Sequence, residues 1–129
     1  MLDHIGLTVS DFARIRNFYT QALEPLDITV VMEVSGQETG AGAHAGFGQS
    51  GKPSFWIGSG NKPSGPVHVA FTASTRKQVE DFYAAALAAG GRDNGRPGLR
   101  PHYHASYYAA FVLDPDGNNI EAVCHDPSG

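Results

Sequence analysis

The pairs His4/His68, Thr8/Thr72, Ser10/Ser74, Phe18/Phe82, Tyr19/Tyr83, Ala22/Ala86 and Leu23/Leu87 stand at one constant offset, so the chain carries its opening segment twice. The copies read HIGLTVSDFARIRNFYTQAL from His4 and HVAFTASTRKQVEDFYAAAL from His68. Each is an alternating apolar run, a polar junction and an amphipathic stretch. The duplication restricts the chain to folds made of two like modules, and it sets a histidine at the same place on two equivalent strands. With 129 residues, the chain is expected to form one domain and to bury roughly two thirds of the surface of the unfolded chain, without disulfides.

From Leu2 to Val9, the apolar Ile5, Leu7 and Val9 alternate with His4, Gly6 and Thr8, the period-two pattern of a half-buried strand. Ser10 or Asp11 caps a following helix whose apolar residues Phe12, Ile15, Phe18, Tyr19, Ala22 and Leu23 recur at spacings of three and four until Pro25 ends it. Residues 27–34, about 42–49 and 53–59 read as three short strands between Gly, Ser and Pro clusters. The second half repeats the plan: strand 66–73, helix 75–89 stopped at Gly90 and Gly91, an irregular Gly/Pro/Arg stretch, and strands near 106–113 and 118–124. This predicts an α+β chain of two tandem βαβββ modules, about 1–60 and about 65–126. The turn DPDGNN has a DxDxN spacing, but Asn119 stands where a calcium loop needs its sharp-turn glycine and His125 where it needs a bidentate acid, so calcium is rejected. The run SGQETGAGAHAGFG lacks a GxGxxG and precedes no helix, so it reads as a flexible hairpin region.

A net charge of -4 without a lysine or arginine cluster argues against a nucleic-acid partner, which needs a concentrated basic face. The one cysteine, Cys124, cannot pair within the chain and fits a reducing cytoplasm. No signal peptide or membrane span is expected, which leaves a small molecule as the default partner.

Strand parity sorts the candidates. If Ile5, Leu7 and Val9 face the helix, His4 and Thr8 lie on the opposite, concave side. Val67, Val69 and Phe71 leave His68 and Thr72 there in the repeat, and in the last strand Glu121 points away from Ile120 and Ala122. All three share one surface provided the two first strands and the last strand are neighbours. A single histidine on a strand is ordinarily solvated or hydrogen-bonded, but two imidazoles and a carboxylate form a triad that leaves open positions on a divalent metal. These strands supply no lysine or arginine to Glu121, and burying an unpaired carboxylate costs several kcal/mol that a cation would offset.

The paired modules, the opening DHIGLTVSDFARIRNFY, the VHVAF strand and the ending FVLDPDGNNIEAV resemble the vicinal oxygen chelate superfamily. That superfamily includes glyoxalase I, bleomycin and fosfomycin resistance proteins, and extradiol dioxygenases. The resemblance implies a cup-shaped mixed sheet with the helices on its outer face, often completed by homodimerisation. It implies a divalent metal (Fe, Mn, Ni or Zn) held by His4, His68 and Glu121, and a small-molecule substrate chelated through vicinal oxygens. Lyase, isomerase or ring-cleaving dioxygenase chemistry is then expected. A glyoxalase I would add a fourth ligand from the segment SGKPSFWIGSG, which holds no Asp, Glu, His or Cys; Trp56 projects into the cup instead. His104 matches the histidine that handles protons in extradiol dioxygenases, whereas Phe111 stands where their signature has a tyrosine. Tyr107, of the same parity as Phe111, supplies a hydroxyl. The implied catalytic residues are therefore His104 and Tyr107, and the substrate-binding residues Trp56, Phe111, His102, Thr8 and Thr72. His44 and His125 fall outside the expected site, and Cys124 reads as a buried small residue. Two alternatives stand beside this reading. One is a metal-free binding protein of the bleomycin-resistance kind. The other is a fosfomycin-type thiol transferase using Arg92, Arg96 and Arg100.

Overall fold

The computed structural model describes residues 2–35, 42–60 and 65–129; the centre of the Gly-rich run, residues 36–41, lies outside them. The first module comprises β1 (Ile5–Val9), α1 (Phe12–Leu23), a 3₁₀ turn over Glu24–Leu26, β2 (Thr29–Val34), β3 (His44–Gln49) and β4 (Lys52–Ser59). The second comprises β5 (His68–Thr72), α2 (Arg76–Ala88), β6 (Arg92–Leu99), β7 (Tyr108–Leu113) and β8 (Asn119–Cys124). Each module is a βαβββ unit forming its own four-stranded mixed sheet, in the orders β1-β4-β3-β2 and β5-β8-β7-β6. The α+β fold of two tandem modules is thus as the duplication predicts.

The helix boundaries follow from local chemistry. Asp11 caps α1 by accepting from the Arg14 N–H at 3.2 Å, and Thr75 caps α2 by accepting from the Gln78 N–H at 3.1 Å; each satisfies one orphan donor of the first turn. Pro25 converts the end of α1 into the 3₁₀ turn. Gly90, at φ +105°, takes the left-handed conformation that ends α2. On α1, Ile15, Phe18, Tyr19, Ala22 and Leu23 are buried, and on α2, Val79, Phe82 and Ala86.

The two sheets turn Val9, Phe47, Phe55, Ile57, Val112, Ile120 and Ala122 toward the helices, giving one core that spans both modules. Phe55 and Phe71 meet edge to face across the junction at 5.2 Å. Tyr19 donates to Asp114 Oδ2 at 2.6 Å, tying α1 to the β7–β8 turn. Asp114 Oδ1 also accepts from the backbone N–H groups of Asp116 and Asn118, so DPDGNN is a turn organised by its first aspartate.

Two expectations change. The Gly/Pro/Arg stretch after α2 is not irregular throughout: Arg92–Leu99 pairs antiparallel with β7, with register shifts between Asp93 and Gly95 and between Gly95 and Gly98. And β1 does not neighbour β5 or β8. It pairs in parallel with β4, while β5 pairs in parallel with β8. No described helix is long and apolar enough to cross a membrane.

Candidate functional site

Glu121 is the focus of the second sheet. Register places it between Ala70 of β5 and Phe111 of β7, on the face away from α2. It is only 2% exposed, so both carboxylate oxygens need partners. The Tyr107 hydroxyl donates to Oε2, and His68 Nε2 lies 3.0 Å from Oε1. Burial first, and then the hydrogen bond to Glu121, push the Tyr107 pKa up to about 12. The phenol therefore remains protonated, and a donor, at neutral pH.

The orientation of His68 is set from behind. Its Nδ1 is 3.0 Å from the Asn119 carbonyl oxygen, which can only accept, so Nδ1 bears a proton. In the neutral ring Nε2 then holds a lone pair directed at the carboxylate. Two lone pairs facing each other at this distance repel unless a proton or a cation lies between them. A ring N–H bonded to a backbone carbonyl with the other nitrogen beside a carboxylate is the usual support of a metal-ligating histidine, so the donor chemistry of His68 and Glu121 fits a divalent cation. Phe111 stacks on His68 with centroids 6.3 Å apart. Arg100 lies over the Phe111 ring at 5.4 Å, its guanidinium held by the carbonyls of Gly98 and Arg96, both at 2.7 Å.

His4 stands apart from this pair. It precedes β1, is exposed, and its Nδ1 bonds Asp3 Oδ2 at 2.8 Å. Among the described residues no three His, Cys, Asp or Glu side chains are grouped to hold a metal ion. One chain therefore assembles His68 with Glu121 and leaves His4 beside the other sheet, so the strand neighbourhood on which a shared surface depended is not met within one chain.

The remaining candidates are divided likewise. Tyr107 and Phe111 join His68 and Glu121. Trp56 and Thr8 line a cleft of the first sheet with Gly6 and His44, and Thr72 lines another cleft with Ile28, Lys52 and Ser54. His102 is exposed and packs on Tyr103 at 4.2 Å, which in turn meets Tyr107 at 4.9 Å. His104 lies 5.4 Å from Tyr107, ring to ring. Its Nδ1 accepts from the Ser106 N–H at 3.1 Å, so in the neutral ring the proton sits on Nε2 and points at His125 Nδ1, 2.6 Å away. Both nitrogens of His104 are thereby engaged. The outward nitrogen of the pair belongs to His125, which sequence reasoning set aside; the alternation Glu121, Val123, His125 was the signal that could have found it.

The chain belongs to the glyoxalase/bleomycin resistance protein/dioxygenase superfamily, whose family model matches residues 1–122. Among solved structures, it is similar to a glyoxalase/bleomycin resistance protein from Albidiferax ferrireducens, at 26% identity over 95% of this chain and 97% of the other, with TM-score 0.76. It is also similar to a glyoxalase/bleomycin resistance protein/dioxygenase family enzyme from Burkholderia phytofirmans, at 19% identity over 96% and 98%, with TM-score 0.71. A third is a glyoxalase I mutant from Zea mays, at 21% identity over 95% of this chain and 46% of that one, with TM-score 0.70. Among curated proteins no sequence matches this chain.

Proposed function

We propose that the chain is a divalent-metal enzyme acting on a small molecule with vicinal oxygens. His68 and Glu121 of one copy, with His4 of a second, would hold Fe, Mn, Ni or Zn. The observation that carries this reading is the His68 pair: Nδ1 committed to the Asn119 carbonyl, Nε2 facing a carboxylate that is 2% exposed. When bound, such an ion supplies Lewis-acid polarisation of an adjacent oxygen pair. The chain's own residues do the rest. Asn119 holds the His68 ring in one tautomer, and Tyr107 donates to Glu121 and orients it. Phe111 walls one side and excludes water, and the His104–His125 pair stands beside Tyr107 as the acid/base group.

Homodimerisation is part of this reading, because β1 and β8 belong to different sheets within one chain and a second copy would have to bring His4 to the pair. Metal analysis tests the reading: near-stoichiometric metal is expected in the wild type and loss of it in His68→Ala and Glu121→Ala. A wild-type protein that stays metal-free after anaerobic reconstitution with each of the four ions would sink it. Mixing His4→Ala and His68→Ala chains locates the third ligand. Random pairing restores one intact site per mixed dimer, so roughly a quarter of the wild-type metal returns if sites are shared, and none if each is built within a chain. Oxygen uptake with catechols, set against consumption of a methylglyoxal–glutathione hemithioacetal, separates ring cleavage from glyoxalase-type chemistry.

A further inference from the structure

Beyond β8 the chain folds back onto the N-terminal end of α2. The Arg76 N–H donates to the Gly129 main-chain oxygen at 3.0 Å, and Arg76 Nη2 donates to the Pro127 carbonyl at 3.4 Å. Within the segment, Asp126 ties the turn: its Oδ1 accepts from the Ser128 N–H and hydroxyl, both at 2.9 Å, and its carbonyl accepts from the Gly129 N–H at 3.1 Å. Residues 125–129 read HDPSG, of which 125–128 are exposed, so the segment has no large apolar side chain to anchor it. Polar bonds hold it in place. It nevertheless covers a buried group. Cys124 is wholly buried, its Sγ lies 3.6 Å from the Ser74 carbonyl oxygen and 3.9 Å from that of Asp126, and a Cβ on Gly129 would stand 3.1 Å from the sulfur.

The same five residues reach a second neighbourhood. His125, the first of them, sets its Nδ1 2.6 Å from His104 Nε2 and stacks on that ring with centroids 4.9 Å apart. One end of the segment is therefore fastened to α2 and the other stands beside Tyr107. The fastening is Arg76. Its guanidinium lies over the Tyr108 ring at 5.0 Å, and its Nε is buried with no hydrogen-bond partner among the described residues. A buried donor left unpaired carries a cost in the closed state that water relieves on opening. Lacking an apolar anchor and carrying this cost, the segment is expected to detach far more readily than the core unfolds. We propose that residues 125–129 are a strap that opens as a unit about the end of β8, uncovering Cys124 and withdrawing His125 from His104, with Arg76 as its fastening. The thiol reports the opening and needs no chemistry of its own. Where the His104–His125 pair is the acid/base group, opening takes that group apart, and only this last step rests on the function proposed above.

Cys124 is the one cysteine in the chain, so the reaction of the full chain with the thiol reagent DTNB follows a single group. Reaction through strap opening is expected to be nearly independent of urea below the unfolding transition, because the opening exposes little surface; reaction through global unfolding would quicken from the first addition. Arg76→Met, which keeps a stem over Tyr108 and removes the bond to Pro127, is expected to react about tenfold faster, the equivalent of one hydrogen bond to a charged group. In that variant the ring signals of His104 and His125 in the ¹H–¹³C NMR spectrum should shift while those of His44 stay in place, and the amide spectrum shows whether it is folded. Should it not fold, Ser128→Ala, which removes one bond to Asp126 on the exposed side of the strap, decides the matter through an acceleration of about threefold. A wild-type rate that follows urea throughout, an unchanged rate in the folded variant, or a faster rate with unmoved His104 and His125 signals would each overturn the proposal. These readouts need neither metal nor turnover, so a failed strap and a failed metal site give different results.

Discussion

Tyr19 shows how a single buried hydroxyl joins the two modules. Its ring lies in the core between Phe18 and Phe55, each 4.9 Å away, and its O–H donates to Asp114, itself 1% exposed. Tyr19→Phe is expected to lower stability by about 1.5–3 kcal/mol at neutral pH in urea denaturation, the usual range for a hydrogen bond to a charged group. Burial, and after it the Asp114 carboxylate, hold the Tyr19 pKa well above the ordinary 10.0. Below that ordinary value both folded and unfolded states keep the proton. Above it the unfolded chain releases its proton first, so stability falls as pH rises past 10. Urea melts across this range should show a shallower decline in Tyr19→Phe than in the wild type; an identical slope would contradict the assignment. Residues of this kind were partly legible in the sequence. Glu121 could be placed opposite Ile120 and Ala122 by alternation, and its lack of a basic partner on neighbouring strands was visible too. That Tyr107 and His68 would be the groups facing its two oxygens depended on rotamers, which periodicity does not encode.

At the scale of elements, the duplicated strand–helix units were readable because capping residues and Pro or Gly stops bracket clean apolar periodicities. Thr75→Ala, which removes the acceptor for the Gln78 N–H, should cost about 1 kcal/mol in thermal or urea unfolding. Serine at the same position should retain most of the stability. Strand β6 was not readable. Its residues RDNGRPGL carry no alternation, and its pairing with β7 shifts register at Gly95, so the strand exists because β7 offers an open edge and not through its own propensity. The same limit left the neighbours of His4 open. Alternation tells which face of a strand a side chain takes, but not which strand lies beside it. The histidine pair read from the repeat is therefore split between two sheets.

For the molecule as a whole, the continuous core matters more than the near-symmetry of its halves. Phe55 and Phe71, together with the Tyr19–Asp114 bond, cross the module junction, and α1 packs against α2. A fragment of residues 65–129 alone would expose the apolar surface that α1 and β4 cover. It is expected to give poorly dispersed amide NMR signals, with dispersion returning when the first module is added in trans. A well-dispersed spectrum from the fragment alone would show that the modules fold independently.

The separation of the two sheets has a consequence for how such a chain can change. The backbone ladders of β1-β4-β3-β2 and β5-β8-β7-β6 share no rung, so a replacement at Trp56 or Gly58 has no direct backbone route to Glu121. Within one chain, substitutions on the helix-free face of one sheet should combine additively with those on the same face of the other. A mutational lineage could then remodel the cleft beside Trp56 through many intermediates while the carboxylate and its two partners stay as they are, which makes the duplication a source of evolutionary latitude.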